Sequence, residues 1–335
     1  MPMQEPKRLS LATLPTPLVR LERLGHMFGD AQIWMKRDDL TGLELSGNKV
    51  RKLEYIAADA LSRGCDTLVT EGTCQSNHCR ATAAVCAKLG LNPVLLIRPE
   101  PPPEVQGNHL LDVLFGAQTR YFPLERFEAE REGIVEAVLS ELKDAGRKPR
   151  WVPIGASEPL GCWGYIRAVA ELADQLSGSG ITACDVILPV SSGGTYAGAL
   201  LGALLHGLAD VQLWGVPVSD DVDYHVREIG GLCRRAVDQF ELPIAFADSS
   251  IRFLDGYVGE GYAVPYAAAI QAIRLLARTE GVVLDPVYTA KAFCSILDGV
   301  RDGRLGRDRP VVFIHTGGIF SNFAWSRTLL ENAKA

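Results

Sequence analysis

Four short segments of this chain gather the residue types that can do chemistry. The first, Leu45-Ser46-Gly47-Asn48-Lys49, opens a helical pattern. A lysine in a first helical turn opposes the helix dipole and by itself reads as solvated surface. Gly47 and Asn48, however, permit a tight turn that aims Lys49 into a cleft. The second, Gly72-Thr73-Cys74-Gln75-Ser76-Asn77-His78, follows a strand-like run. Ser76 or Asn77 can serve as a helix N-cap, or the same polar groups can face a ligand at a helix N-terminus. The third, Ser191-Ser192-Gly193-Gly194-Thr195, lets amides converge beside hydroxyls, which describes a phosphate cradle. The fourth pairs Asp285-Pro286-Val287-Tyr288-Thr289 with His315-Thr316-Gly317-Gly318, polar groups at an edge where ligands collect. Tyr288 alone would more often be a core residue with its hydroxyl at the surface.

The elements that must position these segments alternate along the chain. Runs at 67–72, 93–98, 185–190, 212–218 and 310–316 are continuous or β-rich apolar stretches, as buried parallel strands are. Val50, Leu53, Ile56, Ala57, Ala60 and Leu61 recur at helical spacing, so 48–63 reads as an amphipathic helix. Further helical patterns cover 77–90, 160–176, 194–208, 263–281 and 288–300. Such alternation predicts an α/β fold with mostly parallel sheets covered by helices on both faces. The Pro-rich stretch 99–108 reads as a surface loop, and 146–156 as a crossing between two domains.

Composition narrows the function classes. The 335 residues are 47% hydrophobic and 22% charged, ordinary for a globular chain. Lys+Arg 34 against Asp+Glu 40 gives a net charge of −6 with no basic block, which argues against nucleic acid as a partner. The longest apolar stretch, Tyr196 to Leu205, is far short of the roughly 20 residues of a membrane span, and the start has no apolar leader. A cytoplasmic protein is expected. The eight cysteines form no CxxC pair, and Cys74, His78 and Cys79 lack the second ligand pair usual for zinc, so reduced thiols and no metal are expected. No GxGxxG and no GK[ST] follow the strands, which disfavours a dinucleotide-dependent oxidoreductase and nucleoside triphosphate binding.

The order of the four segments is the specific signal. A lysine at an early helix start, a QSN loop, an SGGT turn and a late DPVYT/HTGG pair together resemble the D-cysteine desulfhydrase and 1-aminocyclopropane-1-carboxylate deaminase family. These are pyridoxal-phosphate enzymes of fold type II, the tryptophan synthase β type. The resemblance runs from Leu14-Pro15-Thr16-Pro17-Leu18 through Lys36-Arg37-Asp38-Asp39 to His315-Thr316-Gly317-Gly318. It implies two domains, each an open, mostly parallel sheet flanked by helices. Residues 1–50 and 156–335 would form the large cofactor-binding domain and 51–155 the small one. It also implies a homodimer.

Carried over residue by residue, the resemblance makes Lys49 the residue that holds pyridoxal 5′-phosphate covalently, with Asn48 beside it. Ser76 and Asn77 would face the substrate carboxylate and the cofactor's ring hydroxyl, and Ser192, Gly193, Gly194 and Thr195 would bind its phosphate. Tyr262 and Tyr288 become candidate proton donors and acceptors, and His78 and Trp163 join the substrate-binding residues. In the deaminase branch a carboxylate follows the second tyrosine and holds the pyridine nitrogen protonated. This chain has Thr289 there and Thr316 in the HTGG segment, which fits loss of a good β-leaving group better than cyclopropane opening. The resemblance therefore implies a lyase that converts a β-substituted amino acid, D-cysteine first, to pyruvate, hydrogen sulfide and ammonia. The alternatives are an L-cysteate sulfo-lyase or another β-substituted alanine lyase, then the deaminase, then a non-catalytic sensor. Glu158, Trp163, Tyr196 and Cys74 depart from the family pattern, which places several of them as candidates for positions near the substrate pocket.

Overall fold

The computed structural model describes residues 4–99 and 104–331, so positions 100–103 of the Pro-rich loop lie outside the described residues. Among the described residues nine strands form two sheets. β1 (Leu18–Arg20), β2 (Ile33–Lys36), β7 (Cys184–Val190), β8 (Val211–Pro217) and β9 (Val311–Ile314) make one, in the order β1-β2-β9-β7-β8. β3 (Thr67–Gly72), β4 (Asn92–Ile97), β5 (Gln118–Tyr121) and β6 (Pro149–Trp151) make the other, in the order β5-β4-β3-β6. Every pairing is parallel except β1 with β2. The helices are α1 (Glu22–Met27), α2 (Lys49–Ser62), α3 (Asn77–Leu89), α4 (Asn108–Leu114), α5 (Leu124–Asp144) and α6 (Pro159–Gly178). They continue with α7 (Gly194–Leu205), α8 (Val222–Phe240), α9 (Ala267–Glu280) and α10 (Thr289–Arg301).

Side-chain alternation explains why the central strands read as unbroken apolar runs. Val186, Leu188 and Val190 of β7 join Val312 and Ile314 of β9 in a core shared with α6, α7 and α8. Ile187, Val311 and Phe313, one residue out of phase, join a core shared with α9 and α10 on the other face. A strand buried on both faces has no polar side to alternate with. In the smaller sheet Leu68 faces α2 and α3, while Val69, Val94 and Leu96 face α5.

Two expected boundaries move. Leu61 is not part of the buried stripe of α2; it is 39% exposed in the last turn, where the helix runs past the sheet. The helix expected from 263 begins at Ala267, because Pro265 precedes it and Ala263 sits at φ +58°, outside helical geometry. Among the described residues no helix is long and apolar enough to cross a membrane, and no group of three or more His, Cys, Asp or Glu side chains is placed to hold a metal.

α2 is the element that matters most for the site, and it is bolted to the larger sheet by a buried ion network. Arg51 makes a two-pronged pair with Asp38, at 2.9 Å from Nε and 2.8 Å from Nη2, and reaches Glu171 of α6 at 3.0 Å. Thr16 donates its hydroxyl to Asp38 at 2.7 Å, and Lys36 of β2 pairs with Glu171. Burial pushes the Asp38 carboxyl up, but the Arg51 charge and the hydrogen bonds from Arg51, Tyr165 and Thr16 outweigh it and hold its pKa below the usual value.

Candidate active site

The four segments meet where parallel strands end. The 73–76 loop leaves β3, the 191–193 turn leaves β7 and the 315–318 turn leaves its neighbour β9. In open parallel sheets ligands collect at this carboxyl edge.

Lys49 enters from a loop that is tied down at each residue. Ser46 Oγ donates to Asp39 O at 2.8 Å, and Gly47 N–H donates to Thr41 Oγ1 at 2.9 Å. Asn48 N–H donates to Thr316 O at 3.1 Å. Gly47 has φ +106°, and a Cβ there would stand 2.6 Å from Thr316 O, so only glycine lets the loop lie against the 315–318 turn. Asn48 Nδ2 then donates to Thr195 Oγ1 at 2.8 Å, which links the lysine to the glycine turn. Lys49 Nζ makes no hydrogen bond or ion pair with any described residue. Burial, helped by the Arg80 charge and opposed by Asp285, lowers its pKa to about 8. A tenth or so of the amines are thus already neutral at pH 7, the form a nucleophile or base requires.

The glycine turn is built as a cradle. Gly193 has φ +78° and precedes α7, whose first amides have no partner within the helix. A Cβ on Gly194 would lie 2.6 Å from Ser157 Oγ and 3.0 Å from Lys52 Nζ. Ser157 Oγ accepts from Gly194 N–H at 3.2 Å and donates to Ser192 Oγ at 3.0 Å. Lys52, fully buried, donates to Gly155 O at 2.9 Å. Burial and then the charge of Lys49 hold its ammonium well below the ordinary lysine range. Converging amides, three hydroxyls and a buried amine that gains a proton beside an anion fit a phosphate monoester. Sequence reading passed over Lys52 and Ser157. Lys52 is three residues after Lys49 and so shares its helix face, a signal that was available.

Across the cleft Ser76 caps α3, accepting Cys79 N–H at 3.2 Å, and its own proton stays free to donate. The cap contact thus leaves the hydroxyl proton available to a ligand. Asn77 Oδ1 accepts from Asn108 Nδ2 at 2.9 Å. The Tyr262 and Tyr288 hydroxyls are hydrogen-bonded to each other, with Tyr262 also beside Thr73. Burial pushes both phenols up, so both hold their protons at neutral pH. Asp285 orders this side. Its carboxylate accepts the N–H groups of Val287, Tyr288 and Thr289 at 2.9, 2.9 and 2.8 Å and so caps α10.

Several expectations change here. Thr289 does not present its hydroxyl to a ring nitrogen; it donates to Asp285 Oδ1 at 2.6 Å and accepts Asp285 N–H at 2.7 Å, both roles spent on the helix start. Thr316 keeps its hydroxyl without a partner among the described residues. His78 is turned away to Thr70. Because Thr70 donates to Val152 O at 2.7 Å, it accepts His78 Nε2–H at 2.8 Å, which leaves His78 a buried support under the loop. Trp163 lies in the core, edge-on to Phe240 with ring centres 5.5 Å apart, rather than in a substrate pocket. The other departures also turn away. Tyr196 accepts Arg252 N–H at 2.9 Å inside the core, Glu158 pairs with Arg150, and Cys74 packs with Leu95 and Ile97.

A family model described as "Pyridoxal-phosphate dependent enzyme" matches residues 9–317. D-cysteine desulfhydrases of Salmonella newport and Salmonella enteritidis are 39% identical over 325 residues, 95% of this chain and 96% of theirs. A crystal structure of an ACC deaminase homologue superposes with a TM-score of 0.88 at 36% identity, covering 98% of this chain and 97% of the other. An L-serine ammonia-lyase from Rhizomucor miehei shares the fold, with a TM-score of 0.69 at 19% identity over 98% of each chain.

Proposed function

Because this chain belongs to the pyridoxal-phosphate dependent enzymes, we propose that it is a β-eliminating lyase that converts D-cysteine and water to pyruvate, hydrogen sulfide and ammonia. The observation that carries this reading is a Lys49 with a pKa near 8 and no partner among the described residues, together with two mutually hydrogen-bonded tyrosine hydroxyls that hold their protons, the charge of Asp285 acting on all three. When bound, pyridoxal phosphate supplies the electron sink that makes an amino acid's Cα–H acidic and lets a β-substituent depart. Lys49, Asn48, Ser192, Gly193, Gly194 and Thr195 would hold it, with Lys52 and Ser157 completing the phosphate cradle and Asn77 meeting the ring hydroxyl.

The chain's own groups then divide the proton work. Lys49 Nζ takes the proton from the substrate Cα, since its amine is partly neutral at pH 7 and has no hydrogen-bond partner among the described residues, whereas Lys52 is turned to Gly155 O. Ser76 Oγ–H donates to the substrate carboxylate at the N-terminus of α3, where the helix dipole favours an anion. The Tyr262–Tyr288 pair protonates the departing sulfur; the mutual hydrogen bond stabilises the phenolate left behind, which regains a proton from solvent before the next turnover. Thr316, whose hydroxyl is free, is the remaining candidate partner for the pyridine nitrogen. A hydroxyl there leaves that nitrogen without a full charge, which suffices for a leaving group as good as thiolate.

The similarity to an ACC deaminase homologue supports ring opening as the second reading. Product assays separate the two. Sulfide with pyruvate from D-cysteine is the expected result; 2-oxobutanoate from the cyclopropane amino acid would replace it. L-Cysteine and L-cysteate, read as sulfide and sulfite, test the remaining alternatives. Lys49→Ala should keep its fold, lose the yellow cofactor band and lose all turnover; a coloured, active variant would remove Lys49 from this role.

We place the enzyme in the cytoplasm and divide it into residues 1–50 with 156–335 and residues 51–155. The position of each sheet along the chain supports that division. The exposed Leu110, Val113 and Leu114, spaced to share one face of α4, support a homodimer.

A further inference from the structure

The 44–46, 75–77 and 106–108 segments come together around two buried side chains, Arg80 and Asn108. Arg80 donates Nη1 to Glu44 O and Nη2 to Ser46 O, both at 2.7 Å, and Nε to Asn108 Oδ1 at 3.2 Å. A guanidinium carries donors only, so the atom of Asn108 that meets it must be the oxygen. The Asn108 amide nitrogen is thereby turned the other way. It donates to Gln75 O, which can only accept, at 2.9 Å and to the Asn77 side chain at 2.9 Å. The atom of Asn77 that receives this hydrogen must in turn be Oδ1. Its Nδ2 is left facing away, with no hydrogen bond to any described residue.

The surroundings keep this arrangement from slipping. Asn108 N–H donates to Gln75 Oε1 at 3.1 Å, while Gln75 Nε2 donates to Gln106 O at 2.9 Å. Gly107 sits at φ +60°, where a Cβ would stand 2.4 Å from Gln75 Oε1 and 2.8 Å from Phe320 O. The 106–108 segment is thus wedged between the QSN loop and the chain after β9.

We infer that Asn108 is a positioning residue which, oriented by Arg80, forces Asn77 to present N–H donors rather than its oxygen to the cofactor. The inference rests on the cofactor reading given above. Polarity runs one way, from a side chain that can only donate, through two amides, to the cleft. An N–H donor at the ring hydroxyl favours its ionised form, so the relay sets the protonation state of the bound cofactor without touching it.

The test uses holoenzyme and reads the pH titration of the cofactor's visible band, cofactor content per chain, and thermal melting. Asn108→Asp keeps the shape and removes the donor, so Asn77 must turn its amide toward the new carboxylate and its oxygen toward the ring. The titration midpoint should rise by about one unit, a roughly tenfold change in proton affinity. Asn108→Ala should shift it in the same direction by less. In an Asn77→Ala background neither change should move the midpoint further. Wild-type titration in a folded, loaded Asn108→Asp protein, while Asn77→Ala does shift, would overturn the relay. Should Asn108→Asp fail to fold, the Asn108→Ala pair decides alone, equal shifts with and without Asn77 refuting it. An unshifted Asn77→Ala would also overturn it, and a wild-type protein that takes up no cofactor would instead refute the reading on which it rests.

Discussion

Replacing Lys52 with methionine separates two effects that fall on one side chain. Lys52 is enclosed, with Nζ 2.9 Å from Gly155 O and near Gly194, and its ammonium is disfavoured by burial and by Lys49. Without an anion beside it, the neutral amine contributes little more than one hydrogen bond, net about 1 kcal/mol. Methionine of similar length loses that bond but also the cost of deprotonating a buried lysine, so the cofactor-free protein should be stabilised near neutral pH, the gain shrinking as pH rises toward the ordinary lysine pKa. A phosphate reverses the balance, because its negative charge favours the ammonium. The charge-assisted bond then formed is worth about 1.5–3 kcal/mol, so Lys52→Met should weaken cofactor binding about 10- to 150-fold. The sign with pH follows. The anion raises the Lys52 pKa, so binding takes up a proton. Wild-type affinity should fall relative to the variant, by up to about tenfold per unit, as pH rises above the free-cradle pKa of Lys52. Cofactor titrations from neutral to alkaline pH, with urea unfolding of both cofactor-free proteins, measure each part. Equal affinities at every pH in a folded variant would refute the placement of Lys52 at the phosphate.

Gly194→Asp should reduce cofactor affinity by at least about 100-fold in a spectroscopic titration, since its Cβ would crowd Ser157 Oγ at 2.6 Å and its carboxylate would repel the anion. Tyr288→Phe and Tyr262→Phe should each keep cofactor affinity and lower kcat by about 10²- to 10⁴-fold, with a double variant little worse than either single one; additive losses in steady-state assays would separate the two hydroxyls. Acid should weaken the fold below about pH 6.5, because His78, His225 and His315 are held below the usual histidine pKa by burial. All three stay neutral in the folded chain and take protons when unfolded, so their stability contribution is full above that pH and lost as pH falls, by up to about 1.4 kcal/mol per unit for each. His225, with neither ring nitrogen bonded, is the cleanest probe, and urea unfolding of His225→Phe should show a shallower acid slope.

What the sequence revealed, and what it hid, follows from how each residue does its work. Segments whose role is carried by backbone geometry were legible: Gly47, Gly193 and Gly194 announce turns, and the strands that feed them are unbroken apolar runs. Lys49 is different: at the start of a helical stripe a lysine by itself reads as solvated surface, and only the order of the four segments singles it out. Facing across a helix is not local. Trp163 and Tyr196 flank site segments in sequence, yet their helices turn both into the core beneath α8 and β8. Thr289 misled for a related reason: it stands one residue from a tyrosine of the cleft, but Asp285 four residues earlier claims its hydroxyl. Arg80, Asn108 and Ser157 act through partners 28 to 37 positions away, and no spacing rule reports such pairings. The charged helix α5 and the strongly amphipathic α8 carry no motif within 124–144 or 222–240 that would mark them.

The pairing of β2 with β9 sets the order in which a ribosome can finish this molecule. Residues 33–36 wait for residues 311–314, and β7 waits for the same strand before its inner edge is covered. Until then a nascent chain carries apolar strands with an open edge, the kind of surface that associates wrongly. The small sheet, closed within residues 67–151, can be assembled far earlier. Thr316 O, which accepts Asn48 N–H beside the lysine, is made only after β9 itself. A chain stalled before that residue would lack this tether beside Lys49, so truncation before residue 316 should abolish cofactor capture.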